Sequence, residues 1–239
     1  MARIPYPKLE DLPDKIRTAA ERLPPLNIMR MFLNAPTNAI PLLSFGQSIL
    51  TRQELDARLR ELAILRVAHL TGATYEWTQH VPIAKETGVT EAEVDAVPAG
   101  ADSEIFGNLE KKLLRFTDEV TLKVKATDQT FAALEQELGP RQMVELALAI
   151  GFYGMVARIM ESFEVELEAP PGPIQLSNFG VNVSLSNGYG VPSSVSASVR
   201  MRFYALGPLD CASQFHCTGA QRQYRGGLVD DPPTASMLV

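Results

Sequence analysis

Cysteine is almost missing from this chain of 239 residues: there are two, Cys211 and Cys217, both near the end. No disulfide scaffold follows from such a pattern. Lysine and glutamate are missing beyond residue 168, where four arginines and three aspartates carry all the charge. Long apolar runs are missing too. The longest, Leu146 to Ala157, ends at Arg158, well short of the ~20 residues that cross a bilayer. No excess of positive charge is present: 22 Lys and Arg stand against 28 Asp and Glu, for a net charge of −6. That balance excludes a broad nucleic-acid surface, which needs clustered cations to displace counterions. The opening MARIPYPKLEDLPDK has no apolar stretch and predicts no secretory signal. No phosphate-binding loop, dinucleotide fingerprint or nucleophile elbow appears. A cytoplasmic protein that contacts neither membrane nor nucleic acid is the expectation.

The charge pattern divides the chain at EAPPGP, near residue 169. Residues 1–168 read as a folded domain, and 169–239, rich in Ser, Gly, Val and Pro, as a poorly ordered or loosely folded tail without a catalytic role. The first part shows no sustained period-two alternation, which predicts an all-α domain. Helices are expected over 9–23, 27–33, 37–50, 51–70, 75–86, 90–97, 103–124, 127–138 and 141–167. Thr51-x-x-Glu54 and Thr90-x-x-Glu93 have the capping-box pattern, in which a hydroxyl and a glutamate satisfy each other's backbone N–H groups. Asp102 or Ser103 is expected to cap the helix over 103–124. Gly151 and Gly154, inside the last helix, predict a close helix contact.

The segment from Arg60 to Val94 carries the chemistry. After Glu61 the helix is apolar on nearly every face, which predicts burial. Glu61 shares a stripe with Ile64, Leu65 and Ala68. A carboxylate there is either paired, with Arg66 or Arg158 as candidates, or neutralised into a proton carrier. Glu76 and His80 are i, i+4 neighbours, a spacing at which a carboxylate can orient an imidazole. Trp77 is placed to wall that pair off from water. His69 reads either as a core histidine or as a lining residue. A metal held by Glu61, His69, Glu76 and His80 is conceivable, but no closed zinc spacing is present. Neither metal nor cofactor is expected. His216 between the two cysteines makes a poor metal pattern.

At this segment the chain resembles the carboxymuconolactone decarboxylase family, which includes the AhpD-like proteins. The resemblance rests on Arg60-Glu61-Leu-Ala-Ile-Leu, Thr71-Gly72, Tyr75-Glu76-Trp77-x-x-His80 and Gly88-Val-Thr-x-x-Glu93. It covers about residues 5–168. The resemblance implies an all-helical fold and assembly into homo-oligomers, trimers or hexamers. In the hydroperoxidase branch a glutamate precedes C-x-x-C-x-x-x-H. Here Glu61 and His80 fall at the glutamate and histidine, and Ala73 and Glu76 at the cysteines. A thiolate cannot be replaced by a methyl group or a carboxylate, so dithiol peroxidase chemistry is expected to be absent. The decarboxylase branch has E-x-x-x-H, as Glu76 and His80 do, although its counterpart of Glu61 is not usually acidic.

The two lines meet on Glu61, Glu76 and His80 as the catalytic residues of a cofactor-free decarboxylase or proton-transfer enzyme. The expected substrate is a small anionic lactone or ring-cleavage product, with Tyr75, Trp77, Arg66 and His69 around it. The alternatives are an AhpD-like antioxidant activity and a helical oligomer whose polar cluster is purely structural.

Overall fold

The helix after Asp56 is apolar all round, and the computed structural model, which describes residues 1–168, places it at the centre. Among these residues the order is α1 (Asp14–Ala20), α2 (Asn27–Phe32), α3 (Pro36–Arg52), α4 (Ala57–Thr71), α5 (Thr74–Glu86), α6 (Glu91–Ala96), α7 (Asn108–Lys123) and α8 (Asp128–Phe163), with short 3-10 turns at Leu9–Asp11 and Val97–Asp102. No strand occurs among them, so the domain is all-α as the periodicity requires. The tail expected over 169–239, with its cysteines and His216, lies outside the described residues.

Helix α4 is enclosed by α5, α7 and α8. Its Leu62, Ala63, Ile64, Leu65 and Val67 are fully buried. They join Leu113 and Leu114 of α7 and Leu146 and Ile150 of α8 in one core. A second apolar cluster joins α2, the start of α3, Tyr75 and Ile83 of α5, and the last turns of α8. Helix α5 therefore has one face in each cluster, and this is what sets the site between them.

Several boundaries differ from the sequence reading, each for a local reason. Pro13 divides the first expected helix, leaving a 3-10 turn before α1. Thr51 does not cap α4. It lies inside α3, its hydroxyl donating to the Gln47 carbonyl, and Asp56 caps α4 by accepting from Arg58 N and Leu59 N. The Thr90–Glu93 capping box forms. Helix α7 starts at Asn108 with no side-chain cap, while Ser103 accepts from Ile105 N in the preceding loop. Gly139, at φ 71° and ψ 170°, is not helical and divides α8 into two segments, as the Gly139-Pro140 stop predicts. Gly151 meets nothing within 4 Å of a built Cβ, and Gly154 meets only the Arg158 guanidinium of its own helix. The close helix contact is made instead by Gly46 of α3, where a Cβ would stand 2.6 Å from the Phe152 ring.

Helix α8 also corrects the reading of apolar runs. By length and composition it could cross a membrane, because Arg158 is the sole charge between Glu145 and Glu161. Half of its most apolar stretch is buried, against α4 and α7, as for the core helix of a globular domain.

Candidate functional site

Burial of charge defines the site. Glu61 is 0% exposed, and on α4 it faces α5, where Glu76 is 2% and His80 7% exposed. The His80 Nδ1 atom lies 2.8 Å from Glu61 Oε2. Arg60, also buried, brings its Nε to 3.4 Å from Glu61 Oε1. The carboxylate that orients the imidazole is thus Glu61 from the neighbouring helix, and not Glu76 one turn earlier on the same helix. Glu61 is already aimed across the α4–α5 contact, and that bond occupies the ring nitrogen. Nε2 makes no hydrogen bond among the described residues.

Glu76 has neither a hydrogen bond nor an ion pair on either carboxylate oxygen, although both oxygens are buried. Burial pushes its carboxyl well above the usual carboxylate range, and the negative charges of Glu61 and Glu161 add to the shift. Buried polar groups are nearly always satisfied by the protein, and an unpaired buried charge costs several kcal/mol. A neutral carboxylic acid at Glu76 avoids that cost.

A third helix contributes a residue with no sequence signal. Tyr153 of α8 is 5% exposed and stands edge-on to the His80 ring, centroids 4.7 Å apart at 84°. Burial, then the charges of Glu61 and Glu76, hold its phenol well above the ordinary tyrosine value. Arg60 was overlooked in the same way. It precedes Glu61 in the motif, where a helical arginine ordinarily reads as exposed.

The expected lining residues do not gather around this cluster. Arg66 makes a two-pronged bond to Asp118, Nε to Oδ1 at 2.6 Å and Nη2 to Oδ2 at 2.9 Å. Its Nη1 donates to the Val97 and Pro98 carbonyls, so its donors are taken by the turn that contains Gly100. Arg158 is exposed and bonds the Gly154 carbonyl. His69 is exposed at the end of α4, against the half-buried Trp77 at 6.4 Å between centroids. Tyr75 faces the second apolar cluster, where its hydroxyl donates to Glu168 Oε1 at 2.6 Å. Gln79 Nε2 and the Asn27 backbone N–H hold the same carboxylate, at 2.8 Å and 2.5 Å. Among the described residues no group of three or more His, Cys, Asp or Glu side chains is placed to hold a metal ion.

Residues 39–119 match the model of the carboxymuconolactone decarboxylase family. Over this stretch, about a third of the chain, the sequence is similar to that family. No curated protein matches it. Among solved structures it is similar to an uncharacterized peroxidase-related protein with an AhpD core from Ralstonia eutropha JMP134, at 16% identity and TM-score 0.62, over 71% of this chain and 93% of that one. A peroxidase-related protein from Silicibacter sp. TM1040 gives 13% identity and TM-score 0.61 over the same shares. A debrominase, Bmp8, solved with 2,3,4-tribromopyrrole, gives 18% identity and TM-score 0.60 over 72% of this chain and 96% of that one. At these identities the shared property is the AhpD-like helical fold. The position read as the first cysteine of the hydroperoxidase pattern is Ala73, buried at the N-cap of α5. The second is Glu76, inside the buried cluster.

Proposed function

We propose that the protein is a cofactor-free carboxy-lyase or proton-transfer enzyme acting on a small carboxylated lactone or related ring-cleavage product. The observation that carries this reading is the buried, unpartnered Glu76 carboxyl beside the Glu61–His80 pair. A purely structural network has no reason to leave one member unsatisfied, whereas active sites do so routinely. In decarboxylation the bond between the ring carbon and the carboxylate breaks. Its electron pair enters the conjugated lactone as a dienolate, and CO2 departs. One proton must then reach carbon. His80, steadied through Nδ1 by Glu61, delivers it from Nε2 and recovers it from water. Arg60, and not Arg66 or Arg158, is the cation of the cluster. We further propose a homo-oligomeric assembly, trimer or hexamer, in the cytoplasm, with an anionic small molecule as the ligand.

The test is CO2 release from a panel of carboxylated lactones and 3-oxo acids, comparing wild type with His80→Ala. His80-dependent release supports the lyase reading, and no release from any member counts against it. A second reading, a non-catalytic helical oligomer, draws on the complete burial of Glu61 between Arg60 and His80. It predicts that no member of the panel is turned over. The thiol-peroxidase alternative has no thiol to act through in residues 1–168.

A further inference from the structure

Three polar groups around Glu61 are left over once the bonds of the cluster are assigned. One is Nε2 of His80. The second is the Glu76 carboxyl, both oxygens buried and unpartnered. The third is the Tyr153 hydroxyl, which makes no hydrogen bond among the described residues. We infer that Glu76 and Tyr153 form an oxyanion hole, two neutral O–H donors from α5 and α8 that receive the enolate oxygen while His80 handles the proton. This rests on the proton-transfer reading above and adds to it a residue, Tyr153, and a division of labour.

A dienolate oxygen is best held by O–H or N–H groups already aimed at it, in a site that excludes water. A carboxylate at Glu76 would repel that oxygen, but a carboxyl with no bond to either oxygen at 2% exposure is held as the acid, which donates. The phenol of Tyr153 is neutral and also donates. Its ring is fixed by His80 on one side and by Phe152, 5.3 Å away at 82°, on the other. Burying the Glu76 carboxyl without a partner is unfavourable in the free protein, and a ligand oxygen would relieve it. A phenol paired with a neutral carboxylic acid serves enolate chemistry in this way on an unrelated fold. Glu61 is unsuited to the role, because its oxygens already face His80 and Arg60.

Two probes test this on the full chain. The first is deuterium incorporation at the α-carbon of α-angelica lactone, a β,γ-unsaturated lactone whose exchange passes through a dienolate. The second is binding of 4-nitrophenolate, a planar oxyanion, followed by its absorbance. Tyr153→Phe removes only the hydroxyl, so its melting temperature should match wild type. Its exchange rate at saturation should fall by roughly 10²–10³, and its affinity for 4-nitrophenolate by at least about tenfold. Glu76→Gln keeps an N–H donor, so its affinity should stay within a few-fold of wild type. Tyr153→Phe exchanging and binding like wild type overturns the oxyanion hole while leaving His80-dependent exchange, and with it the proton-transfer reading, in place. Wild type without His80-dependent exchange overturns that reading. The phenolate then decides alone: binding that weakens in Tyr153→Phe supports the hole, and binding that does not, or is absent, overturns it.

Discussion

Glu61 and His80, nineteen residues apart, meet at 2.8 Å across the boundary between α4 and α5, with the carboxylate entirely shielded from solvent. The carboxylate depends on that bond and on Arg60, since it has no water to fall back on.

Glu61→Ala should therefore destabilise the domain by about 3–5 kcal/mol, the usual effect of leaving one partner of a buried pair alone. Glu61→Gln, which keeps an acceptor for the ring, should cost less. Urea unfolding at pH 7 followed by far-UV circular dichroism measures both. Equal, small losses would mean that the bond contributes little to the fold.

Glu76 makes stability depend on pH in the sense opposite to a salt-bridged carboxylate. Its folded carboxyl titrates above the ordinary value of ~4.3, chiefly through burial, so the native state holds a proton that the unfolded chain releases. The resulting stabilisation is complete below ~4.3 and is lost as pH rises toward the folded value. Glu76→Gln lacks this dependence. The melting temperature of Glu76→Gln minus that of wild type should grow from pH 4 to pH 8. A difference that is flat or shrinks would show that Glu76 is charged in the native state.

Arg66 should behave as a structural residue. Arg66→Ala breaks the two-pronged bond to Asp118 and frees two carbonyls, which predicts a loss of about 2–4 kcal/mol. Arg66→Lys should recover little of it, because an ammonium cannot match the fork. KM for an anionic substrate should be unchanged in any variant that folds. Thermal unfolding and steady-state kinetics on the same samples check both statements.

The start of α4 offers a sharper contrast. Asp56→Ala removes the cap and should cost about 1 kcal/mol. Glu54→Ala loses only an exposed pair with Arg141 and should change stability by less than about 1 kcal/mol. Denaturant midpoints of the two variants separate Asp56 from Thr51-x-x-Glu54 as the helix-start signal.

Period and composition sufficed for the all-α class and the burial of α4, while the grouping of Glu61, Glu76 and His80 drew on the family resemblance as well. They failed where two neighbouring signals compete. Thr51-x-x-Glu54 looks like a cap, yet Thr51 is within reach of the Gln47 carbonyl in the preceding helix, and Asp56 takes the role. Spacing along one helix also cannot reveal a partner on another, so Glu76 appeared to orient His80 when Glu61 does. Tyr153 sits 73 positions after His80, and only the packing of α5 and α8 against α4 brings the two rings together. Arg66 looked like a free cation because Asp118, 52 residues away, is a partner no local pattern can name.

The grip of Glu168 on Tyr75, Gln79 and the Asn27 backbone marks where the chain can be dissected. Two of those three donors belong to α5, the helix that also bears Glu76 and His80. A version of the domain ending at residue 167 would release all three at once and unfasten the rear of the helix whose front is the site. One ending just after Glu168 would keep the clasp closed.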